Sequence, residues 1–212
     1  MSQPSDFPTN MDAGFTALRT DLLAEGGPRI STMRNYRFAI LPYHPSDEFK
    51  MRDRLRRLVG ELRASGWGVL SISLQRLLLA RIRAHGDDVV QSKIKREKSL
   101  LEKGGGRSLE HLKQFVGPLI QEADGISADV ARLIAEFATQ YPERADSTVI
   151  FIEHAGALYP FHKSSALLKK LDGHTHNIPV ILLYPGERHG ATGLSFMGQQ
   201  TPDLDYRPRI YP

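Results

Sequence analysis

Eight histidines and no cysteine define the metal chemistry open to this 212-residue chain. Without a thiolate, zinc would have to be held by imidazoles and carboxylates. The closest pair, His174 and His176, stands two residues apart in a stretch that reads as a loop. Helical metal pairs need the i, i+4 spacing that puts two imidazoles on one face. His154, His162 and His189 are remote in sequence, and no carboxylate completes a set. No metal site is expected.

Glu153 and His154 close a strongly apolar run, and open parallel sheets bind ligands at the carboxyl ends of their strands. A carboxylate there could hold magnesium or activate water. Without a phosphate-binding loop it has no nucleotide to act on, and a polar pair where a strand meets solvent explains both residues. Gly104-Gly105-Gly106-Arg107 precedes a helical stretch, where free amides can cradle phosphate. It lacks the Lys-Ser/Thr of a P-loop and no buried strand leads into it, so a flexible loop is expected. There is no Gly-x-Ser-x-Gly elbow, no His-Glu-x-x-His helix and no paired placement of carboxylates. The chain reads as a non-enzyme with no catalytic residues and no cofactor.

Lys93, Lys95, Arg96 and Lys98 gather cations on one helical segment, but no aromatics are interleaved for base stacking. The formal net charge is only +4. A solvated helix face is the expectation, with at most a weak, salt-sensitive nucleic-acid contact.

Several elements must position these residues. The first ten residues, with two prolines, read as a frayed tail. Residues 12–24 predict a helix presenting Phe15, Leu18, Leu22 and Leu23, and residues 36–41 a strand ended by Pro42. Ser46 is placed to cap a helix carrying Met51, Leu55, Leu58, Val59 and Leu62, stopped by Gly66. Residues 68–73 predict a second strand, followed by a helix from 74 to about 84. A charged helical pattern covers 87–104. A further apolar stripe, Leu112 to Ile120, should kink or split at Gly117-Pro118, because proline lacks a helical donor. Ser127 is placed to cap a helix ending near Tyr141.

Residues 148–152 and 179–184 are continuous aliphatic runs, the mark of strands buried on both faces. A helix over 163–171 joins them, and shorter strands are expected at 193–197 and 207–211. The alternation predicts a three-layer α/β fold, a mostly parallel sheet flanked by helices. Residues 1–30 form a tail and short helix, and 31–212 a single domain. No run approaches the roughly 20 apolar residues of a membrane span. The N-terminus lacks a signal peptide's basic and apolar regions, and the missing cysteines suit a reducing compartment. A cytoplasmic protein is expected.

The remaining motifs lie in loops. They are Tyr36-Arg37-Phe38-Ala39-Ile40, Leu158-Tyr159-Pro160-Phe161 with Leu167 and Leu168 behind it, Tyr184-Pro185-Gly186-Glu187, Leu194-Ser195-Phe196 and Tyr206-Arg207. In that order and spacing the chain, from about Met33 to Tyr211, resembles the BrxB family of bacteriophage-exclusion (BREX) systems. The resemblance implies a subunit of a multi-protein antiphage system that also holds a methyltransferase, a large ATPase and a PglZ-type protein. It carries over no catalytic residues. The strand order is loosely similar to RecA-like and Rossmann-like cores that lack their phosphate loop.

A non-catalytic assembly subunit is therefore expected, binding another BREX subunit, with the PglZ-type protein the first candidate. Tyr159, Pro160, Phe161, Tyr184, Pro185, Gly186 and Arg207 are the candidate partner-binding residues. Gly186 is expected in a backbone conformation closed to other residues. Two other classes stay open: a degenerate nucleotide-binding regulator or weak NTPase, and an accessory DNA- or RNA-contacting module.

Overall fold

The computed structural model describes residues 10–30, 37–142, 145–161, 164–190, 192–203 and 207–212. The expected N-terminal tail up to residue 9, the opening motif through Tyr36, His162, Lys163 and Tyr206 lie outside the described residues.

Continuous aliphatic runs become the centre of the sheet. β3 (Thr148–Glu153) and the first half of β4 (Val180–His189) are buried almost throughout. β1 (Phe38–Tyr43) flanks β4 on the other side, with Ile40 opposite Leu182. β2 (Gly68–Ser73) pairs with β3, and the two-residue β6 (Arg209–Ile210) pairs with β1. The order β2-β3-β4-β1-β6 is parallel at every pairing, and β5 (Gly193–Phe196) adds antiparallel to the end of β4.

Alternation along the strands divides the core in two. Ala39, Leu41, Phe151, Ile181 and Leu183 pack beneath α1 (Met11–Leu22) and α2 (Glu48–Ala64). Phe38, Ile40, Ile150, Ile152 and Leu182 face α3 (Leu74–Arg83), α5 (Gly105–Gln121), α6 (Ile126–Gln140) and α7 (Ser164–Leu171). This is the three-layer α/β architecture. α4 (Asp87–Glu102) packs outside it, against α5.

Five local expectations are corrected. β1 does not end at Pro42 but includes it. Ile40 turns its carbonyl to the β6 side, where Tyr211 donates to it, so Pro42 faces the same side beyond the short β6 and no ladder donor is missed. Ser46 is not the cap of α2. It lies in a 3-10 turn, Pro45–Asp47, whose cap is His44, with Nδ1 accepting from the Ser46 amide.

α5 runs unbroken through Gly117-Pro118. Gln114 and Pro118 are both exposed, so the carbonyl that loses its partner faces water. The three glycines do not form a flexible loop. Gly104, at φ 120°, reverses the chain, and Gly105 and Gly106 open the first turn of α5. Ser127 sits inside α6 with its buried hydroxyl unpaired, because the helix begins at Ile126. Arg81 holds that terminus instead, donating to the Gly125 carbonyl at 3.2 Å and to Asp129 at 2.6 Å.

Candidate interaction face at the carboxyl edge of the sheet

All four long strands deliver their carboxyl ends to one edge, the place where parallel sheets bind. At the exit of β3, His154 adopts a left-handed conformation, φ 59°. Its Nδ1 lies 3.1 Å from Ser73 Oγ at the end of β2, and its Nε2 3.9 Å from Glu48 Oε1. Glu48 also accepts from the Tyr43 hydroxyl at the end of β1 and from Arg52 Nε at 3.1 Å. Burial and then the bond to Glu48 push the Tyr43 hydroxyl far above its ordinary range. Burial first, then the charge of Arg52, holds the His154 imidazole below its ordinary value. It is neutral at neutral pH.

An imidazole between a serine and a carboxylate has the residue types of a hydrolytic triad, but the geometry serves another end. Ser73 Oγ caps α3, accepting from the Arg76 amide at 3.3 Å. The 3.9 Å to Glu48 exceeds a hydrogen bond, and Glu48 is shared between Tyr43 and Arg52. The cluster stitches the ends of β1, β2 and β3 together, beside a crevice of about 260 Å³ walled by Pro45, Gln75, Pro185 and Met197. Sequence reading found His154 and Glu153 but missed Tyr43, Glu48 and Ser73. Ser73, at the junction of strand and helix, carried the available signal.

The two tyrosine–proline blocks do reach the same edge. Phe196 stands between them, 6.2 Å from the Tyr159 ring and 5.3 Å from the Tyr184 ring. Tyr159, Pro160 and Phe161 are half-buried. Pro160 and Phe161 form one wall of an open groove of about 540 Å³ whose other wall is Lys113, Gly117, Pro118 and Gln121 of α5. Gln121 Nε2 donates to the Phe161 carbonyl at 2.7 Å, and Lys170 ties down the Gln121 carbonyl at 2.8 Å.

Tyr184, Pro185 and Gly186 behave differently, and the expected exposed patch is corrected here. Tyr184 is 0% exposed, and Pro185 and Gly186 are buried within β4, which continues to His189 because β5 pairs with it. Gly186 does not have a positive φ. Glycine is needed because a Cβ would meet the Ser195 carbonyl oxygen at 2.2 Å. Arg207 is exposed.

Lys95, Arg96 and Lys98 are exposed on α4, while Lys93 places its ammonium 5.2 Å from the centre of the Phe115 ring. His174 and His176 lie exposed in their loop, and among the described residues no three His, Asp or Glu side chains gather as a metal site. Phe49, 77% exposed with Arg52 5.6 Å over its ring, was missed by sequence reading. Its signal was its place off the Met51–Leu55–Leu58–Leu62 stripe of α2.

Comparison with known proteins agrees with the motifs from Leu158 onward, while the opening motif Tyr36–Ile40 lies outside the matched residues. Residues 70–210 match the family model described as BREX protein BrxB. No curated protein and no solved structure matches the chain. The match spans well over half of the sequence and takes in most of β2 and all of β3 to β6, but not β1. The chain belongs to the BrxB family and is a component of a BREX system.

Proposed function

We propose that this chain serves its BREX system as a non-catalytic interaction subunit, holding another subunit in the groove beside Phe161. The PglZ-type protein is the first candidate. The groove carries the reading. It is open and about 540 Å³ in volume, and hydrogen bonds from Gln121 and Lys170 hold its walls. A half-buried aromatic beside prolines loses little conformational entropy on docking. The cluster around His154 fits the same role, since its polar groups are engaged with one another.

Co-purification of the tagged chain from cells carrying the whole defence cluster tests the reading. A PglZ-type subunit should come with the wild type and be lost with Phe161→Ala. A folded Phe161→Ala variant that still retains it ends the groove assignment. Magnesium-dependent ATP turnover by the purified chain, abolished by Glu153→Ala, would end the non-catalytic one.

A further inference from the structure

α4 is thinly covered. None of its residues is buried, Val90 and Leu100 are half-buried, and polar side chains take part in its contact with α5. Glu97 accepts from the Ser108 hydroxyl and lies 3.0 Å from His111 Nδ1, and Lys93 sits over the Phe115 ring. Ile94 and Leu101, seven residues apart and so on one stripe of the helix, point outward at 41% and 64% exposure. Leu109, near the start of α5, is also exposed. A helix whose internal contact engages polar groups while a stripe of aliphatics faces outward has a second surface to bury.

Charge says what kind of surface. Between Lys93 and Lys113 seven Lys and Arg stand against three Glu, an excess equal to the net charge of the entire chain. Lys98 lies between Ile94 and Leu101 on the same stripe, and Lys95 borders it. From this we infer that the α4–α5 hairpin is a second docking surface, for an amphipathic helix of another protein subunit with aliphatic residues bordered by Asp and Glu. The aliphatics bury each other and the carboxylates meet Lys95 and Lys98. A nucleic acid would leave Ile94 and Leu101 without a counterpart. A second copy of this chain would set Lys95 and Lys98 against their own kind. The surface uses α4 and the start of α5, whereas the Phe161 groove uses α5 from Lys113 onward, so either can fail alone.

The test uses the full-length chain in cells carrying the whole system. A benzophenone side chain is placed at Leu101 and, as control, at Ser92 on the opposite side of α4. Irradiation should join position 101, and not 92, to one other subunit. Mass spectrometry should place the cross-link in a segment with aliphatics at helical spacing and flanking carboxylates. Leu101→Asp should weaken purified binding of that subunit about tenfold or more, as loss of a central apolar contact does, with an unchanged melting temperature. Lys95→Glu with Lys98→Glu should weaken it too and reduce its salt dependence. The inference is overturned by a cross-link to nucleic acid or to a second copy, by equal cross-linking at both positions, by none at 101, or by a segment without carboxylates. Unchanged binding by Leu101→Asp overturns it equally.

Discussion

Tyr159-Pro160-Phe161 and Tyr184-Pro185-Gly186 share a Tyr-Pro pair and each comes after a buried aliphatic run of the central sheet, yet the first leaves the sheet and the second stays in it. The difference begins at the preceding residues. After Glu153 the chain takes a left-handed step at His154 and a 3-10 turn over Ala155–Leu158, which carries Tyr159 away from β4. β4 makes no such step before Pro185. Its Pro179 carbonyl faces β3, accepting from Ile150, and by alternation Pro185 faces the same side. There the Met197 amide, at the end of β5, donates to the Pro185 carbonyl at 2.8 Å. β5 thus takes the side of β4 that β3 has vacated. Whether a proline block is surface or core was decided by the neighbouring strand, not by the block.

Truncating the buried block should have the largest effect. Tyr184→Ala should cost about 4 kcal/mol of stability, as for other fully buried aromatics, whereas Tyr159→Ala, half-buried, should cost about 1–2 kcal/mol. Urea denaturation of both variants checks the contrast, and equal losses would erase it. Next come two glycines. Gly186→Ala drives a methyl into the Ser195 carbonyl and the Tyr184 ring and should cost about 3 kcal/mol. Gly60→Ala, exposed in the middle of α2 with open space around it, should instead gain up to about 1 kcal/mol from helix propensity.

The half-buried block should respond in binding more than in folding. Phe161→Ala should cost about 1 kcal/mol in stability. In the complex it should cost about 2 kcal/mol, or thirtyfold in Kd. Titration calorimetry against the PglZ-type subunit, beside a melting curve, separates the two. A buried-core role would reverse the pattern, with a fall of several degrees in melting temperature and no specific loss of affinity.

Much of the fold was legible because local signals and tertiary context agreed. Gly68–Ser73 and the aliphatic runs at Thr148 and Val180 read directly as strands, and the stripes of α2 and α6 as helices. Illegible features were those where tertiary contact overrode a local rule. Pro42 escaped its rule because β6 is short, and Pro118 because its turn faces water. Gly186 answers to a carbonyl nine residues away, not to its own backbone. The edge cluster joins Tyr43, Glu48, Ser73 and His154 from four separate segments, and no spacing in the sequence predicts that meeting.

The smallest effect sharpens the comparison at its origin, the left-handed step at the exit of β3. Asn accepts that conformation nearly as well as glycine, so His154→Asn should keep the turn while removing the imidazole. In the folded protein burial and the charges of Arg52 and Arg76 disfavour the imidazolium, while Glu153 and Glu48 favour it, and the balance holds its pKa below the ordinary 6.5. A group depressed in this way contributes stability that is present above pH 6.5 and lost as pH falls through the folded value, because the unfolded chain takes up the proton first. Wild type should therefore lose stability more steeply than His154→Asn as the pH falls from about 7.5 to about 5, with urea midpoints as the measure. If wild type instead falls less steeply than the variant, the imidazolium is paired with Glu48 in the fold. The cluster would then be an acid-strengthened clasp, and the exit of β3 would be held by charge rather than by neutral packing.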